Sequence, residues 1–143
     1  MQNDTIKLLR ECNLGCKMAV NSLNQIAEFV TNPGLSSLIE KSIEQHKKIE
    51  KETSDALALA GAGEKEPGAM TSAFAWVTTE MKLTINDGDG QAAKIIMNGC
   101  NMGIQTIGEK QNEFKDADKD ACKLATDLIQ IEETLMKELK EFL

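Results

Sequence analysis

The sequence contains no tyrosine, one tryptophan, one histidine and two prolines, and aromatic residues amount to 3% of its 143 positions. So few aromatics, set against abundant Ala, Leu, Glu and Lys, offer little of what sheets are built from and favour helices. No Lys/Arg-rich run is present, and 16 basic against 23 acidic residues leave a net charge of −7 and a pI near 4.8. Such a chain has no diffuse attraction for nucleic acid or anionic lipid, so neither partner is expected. No apolar stretch approaches the roughly 20 residues that span a bilayer, and the polar start from Met1 to Thr5 leads into no signal-like apolar block. The expectation is a cytoplasmic protein with no membrane partner. Phosphate-cradling glycine loops, nucleophile elbows and triads are missing too, so no catalytic residue and no cofactor is assigned. At 15.7 kDa, a single domain over residues 1–143 can bury roughly two thirds of its extended-chain surface.

What is present is helical periodicity. Ile6, Leu9, Cys12, Cys16, Val20, Leu23, Ile26 and Val30 recur every three or four positions and predict a helix over about 3–30. Thr31-Asn32-Pro33-Gly34 reads as a cap or turn, after which Leu35, Leu38, Ile39, Ile43, His46, Ile49, Thr53 and Leu57 predict a second helix over about 35–60. Gly61, Gly63, Pro67 and Gly68 break the pattern before a shorter helical stretch over about 69–85, which ends at Asn86-Asp87-Gly88-Asp89-Gly90. Two more long helices follow, over about 91–114 and 116–142. The aspartates of the 86–90 cluster resemble part of a calcium loop, but Ala92 replaces its glycine and Asn98 its final glutamate, so calcium is not expected.

The helix lengths are informative. Four segments of about 24–28 residues reach about 40 Å, whereas the 69–85 stretch spans only about 25 Å. It is too short to be an equal bundle member, yet with its extended leader it can travel the length of the others. The expected fold is therefore all-α: a ferritin-like left-handed four-helix bundle of two antiparallel hairpins with a short helical crossover. Gly99 and Gly103 in mid-helix cost helix propensity, which a close helix contact would offset.

Cys12 to Gly15, Leu35 to His46, Gly68 to Thr84 with Trp76, and Gly99 to Gly103 together resemble the small bacterial ferritin-like proteins grouped as a domain-of-unknown-function family. The resemblance covers almost the whole chain and implies a ferritin-like bundle without a settled activity. A working di-iron site of that fold takes a Glu from each of two helices and a Glu-x-x-His from each of the other two. Here the single His46 has Ile43 three positions before it, and the last helix has no histidine. Ferroxidase chemistry is not expected.

Other chemistry would centre on His46. Counting from the turn at Asn32 places it level with Met18 and Cys16, while Cys100 lies at a comparable height facing Ile129 to Glu132. His46, Cys12, Cys16 and Cys100 are thus candidates for a mid-bundle sulfur–imidazole cluster suited to Zn²⁺ or Cu⁺. The bland alternatives are a core histidine bonded to a carboxylate and cysteines acting as small hydrophobes. Most glutamates read as solvated helix faces, with Glu80, four residues after Trp76, and Glu132, beside the Leu128–Ile131–Leu135 stripe, as inward candidates. Trp76 would clamp the crossover onto the bundle. The function expected is that of a non-enzymatic module partnered by a second copy of itself or another protein. The alternative is a metal-binding protein using a degenerate Cys/His/Glu site.

Overall fold

A computed structural model describes residues 2–65 and 88–143. The expected crossover helix over 69–85, with Trp76 and Glu80, lies outside the described residues. These contain four long α-helices and no strand: α1 (Gln2–Ala27), α2 (Pro33–Leu59), α3 (Asp89–Glu113) and α4 (Lys119–Leu139), the last followed by a 3-10 turn at Lys140–Phe142.

The helix ends follow from their caps. The Asn32 side chain accepts from Gly34 N and Leu35 N, and Pro33 enters the first turn, so α2 starts two residues earlier than the periodicity alone places it. Asp118 accepts from Ala121 N in the same way and starts α4 at Lys119 rather than near 116. Helix α2 ends where Gly61 takes a positive φ of 68°, with Gly61 N donating to Ala58 O and Ala62 N to Leu57 O. That pair of bonds closes the last turn around a left-handed residue, which glycine adopts without steric cost. Helix α3 starts at Asp89, two residues before the expected 91.

Long-range hydrogen bonds set the helix directions. Asp89, opening α3, accepts from the backbone N–H groups of Thr31 and Asn32 in the α1–α2 turn. At the other end, Asp4 and Thr5 of α1 accept from the N–H groups of Asp116 and Asp118 in the α3–α4 turn. Phe142, after α4, lies against Gly34 at the start of α2. So α1 and α4 run towards the Asn32 end while α2 and α3 run away from it. Helix α1 packs on α2, α3 and α4, and α4 also on α2 and α3. After α2 the chain turns back along α1: Arg10 Nε donates to Gly63 O at 2.7 Å, Lys17 pairs with Glu64, and Lys65 with Glu11 at 2.8 Å. Arg10 and Lys17 share a face with Leu14, which is fully buried.

Among the described residues the interior holds two apolar clusters stacked along the bundle. One holds Leu23, Ile39, Ile43, Ile96, Cys100 and Leu135; the other holds Leu9, Cys12, Cys16, Ile49, Ile107 and Leu128. Between Ile43 and Ile49 on α2, and between Leu128 and Leu135 on α4, the stripe is interrupted by His46 and Glu132.

Candidate functional site at the polar waist of the bundle

His46 and Glu132 belong to the apolar stripes of their helices, so helical spacing turns both inward. His46 is 1% exposed and Glu132 7%. His46 Nδ1 lies 2.8 Å from the carbonyl oxygen of Ser42, one turn earlier, and 3.3 Å from its hydroxyl. A carbonyl only accepts, so Nδ1 carries the proton in that bond. The other ring nitrogen, Nε2, lies 3.3 Å from Glu132 Oε1. With Nδ1 already a donor, this contact needs one more proton, held either on Nε2 or on the carboxyl.

Burial pushes the Glu132 carboxyl above its ordinary 4.5, and the hydrogen bond and charge of His46 pull it back. Its second oxygen, Oε2, has no hydrogen-bond partner among the described residues. This oxygen sits against Gly103 of α3: a Cβ there would overlap it and come within 3.0 Å of the Glu132 Cδ and Oε1. The close helix contact expected at this glycine is thus a contact with a carboxylate.

A cavity of about 60 Å³ adjoins the pair. Among its lining residues are Met18 and Ala19 from α1, Ile96 and Cys100 from α3, and both His46 and Glu132. The cavity thus brings His46, Met18, Cys100 and Glu132 together, whereas counting from the turn puts Cys16 beside His46 as well. Cys16 lies in the other apolar cluster, although the Glu132 charge still acts on its thiol, and Cys12 is a further turn away. Burial pushes the Cys12 thiol up to about 12 and raises Cys16 and Cys100 as well, with Glu132 adding to the rise at both. These thiols stay protonated at neutral pH and are poor nucleophiles and ligands. Among the described residues, no three His, Cys, Asp or Glu groups are disposed to hold one metal ion. Nor do the residues fit a di-iron centre, since α4 offers no imidazole.

Asn13 escaped the reading of the sequence. It is fully buried on α1, and its Nδ2 lies 3.2 Å from the Glu50 carbonyl, 3.0 Å from Thr53 Oγ1 and 2.9 Å from Ser54 Oγ on α2. The available signal was its place one turn from both Leu9 and Cys16, a polar residue within a helix stripe.

No protein-family model matches the chain, and comparison with the curated proteins and with the solved structures returns no match.

Proposed function

We propose that this protein is a non-enzymatic ferritin-like helical module that acts by self-association or by binding another protein. The carrying observation is the state of the buried polar groups. One histidine nitrogen is committed to the Ser42 carbonyl and the other to Glu132, and the three buried thiols are held protonated by desolvation. No activated nucleophile paired with a base results among the described residues. The ferritin-like topology is supported by the parallel run of α2 and α3, because successive parallel helices need a connection along the bundle's length. Parallel α2 and α3 also fit the resemblance to the bacterial ferritin-like family, which implies left-handed packing. Four free thiols suit a reducing, cytoplasmic compartment.

Self-association is supported by two exposed apolar side chains at the Asn32 end. Phe29 is 38% exposed and Leu143 58%, and the Leu143 backbone lies against Gly90, next to the Asp89 that binds Thr31. Light scattering during size-exclusion chromatography at micromolar concentration is expected to give the mass of a dimer, and Phe29→Asp with Leu143→Asp that of a monomer. A monomeric wild-type mass overturns self-association.

One observation favours a metal-binding reading: His46 donates Nδ1–H to a backbone carbonyl, as metal-bound imidazoles do. Metal analysis of tag-free protein decides it. Bound metal that disappears in His46→Ala would support that reading; metal at equal stoichiometry in both would reject His46 as a ligand.

A further inference from the structure

The waist cavity has two unlike boundaries. Met18, Leu23 and Ile26 of α1 face Ile95 and Ile96 of α3 as apolar walls, and small residues on both helices, Ala19 and Gly99 among them, leave the space between open. At about 60 Å³ it exceeds several-fold the roughly 10–15 Å³ that one water needs. The polar boundary is His46 with Glu132, whose Oε2 is buried without a hydrogen-bond donor among the described residues. Buried carboxylate oxygens ordinarily find a donor, and an unsatisfied one is costly.

We propose that this cavity binds a short alkylammonium ion, whose N–H groups donate to the Glu132 carboxylate while its alkyl chain lies against Met18, Ile95 and Ile96. The ligand class follows by elimination on the chemistry of the walls. An anion would meet a buried carboxylate in a protein of net charge −7. A bare metal ion would surrender its hydration shell to walls whose side-chain oxygens are those of Glu132 and Ser22, with no cluster of three His, Cys, Asp or Glu groups among the described residues to replace it. A hydrocarbon would fill the space but give the Glu132 carboxyl group no hydrogen bond. A primary ammonium carries three N–H groups, and its hydrogen bond to a carboxylate is of the strong, charge-assisted kind. The volume favours a chain of roughly three to five carbons over a drug-sized molecule, whose sites measure roughly 300 Å³ or more.

The test titrates n-butylammonium chloride into the full chain and follows backbone amide shifts, with 1-butanol, butyrate and zinc chloride as comparisons. Butylammonium is expected to saturate one site, with the largest shifts in residues 15–26 and 95–103. Butanol should bind at least about tenfold more weakly, the difference a charge-assisted bond makes, and butyrate should not bind. Glu132→Gln, close in shape, should reduce butylammonium affinity to that of butanol. The proposal is overturned by an absence of saturable shifts with butylammonium, by equal affinity for butanol, or by unchanged affinity in Glu132→Gln. Zinc occupying the waist and displacing butylammonium overturns it in favour of an ion site. The wild-type comparisons need no variant to fold, and the mass measurement reads self-association separately.

Discussion

Gly103 and Glu132 are two halves of one contact. Glycine in mid-helix costs roughly 1 kcal/mol against alanine, and here the missing side chain makes room for a carboxylate that would otherwise overlap it. Gly103→Ala is therefore expected to destabilise the protein by about 1–2 kcal/mol, because the Glu132 carboxylate must leave its place beside His46. With Glu132→Ala already present the clash is gone, and the same glycine substitution should be neutral or stabilising by up to about 1 kcal/mol. Denaturant unfolding of the four proteins measures this coupling; additive effects would contradict it. Part of this was legible. The stripe marked Glu132 as an inward candidate, and the glycines marked a close approach. That the two meet was not legible, because periodicity orients each residue on its own helix and says nothing of the facing one.

At the scale of elements, the helix ends carry the connections between hairpins. Asp89 sits in a cluster that reads as a loop, yet it opens α3 and accepts from Thr31 N at 3.0 Å, Asn32 N at 2.8 Å and Thr31 Oγ1 at 3.1 Å. These bonds, the Thr31 backbone foremost, hold its carboxyl below the ordinary 3.8. A carboxyl that binds its proton less readily when folded stabilises the protein above its ordinary value. That contribution disappears as the pH falls through the lowered one. Asp89→Asn should lower Tm at pH 7 by a few degrees and converge on wild type in acid, as the pH falls through the lowered value. Thermal melts across that range check it, and a gap that persists in acid would contradict it. Asn32, by contrast, was recognisable as a cap from its place before Pro33, because capping is a local interaction.

Across the whole molecule, the polar waist divides two apolar clusters of the core. Cys12, Cys16 and Cys100 are buried in its clusters, while Cys122 is only partly buried, its Sγ–H donating to Ala117 O at 3.6 Å. One of the four thiols should react rapidly with a maleimide in the native state, and the remaining three only in denaturant. Mass spectrometry of the labelled protein identifies the sites; fast labelling of Cys16 or Cys100 would contradict the burial described. By itself the sequence determined that the chain is helical, where its hairpins turn and which residues face inward, since backbone propensity, caps and three-to-four periodicity act within one or two turns. Only the tertiary structure decided that His46 meets a carboxylate 86 residues away, that the carboxylate lies on Gly103, and that Cys12 and Cys16 fall on the far side of the waist from Cys100. Those outcomes depend on the relative height and rotation of separate helices, set by packing all four together.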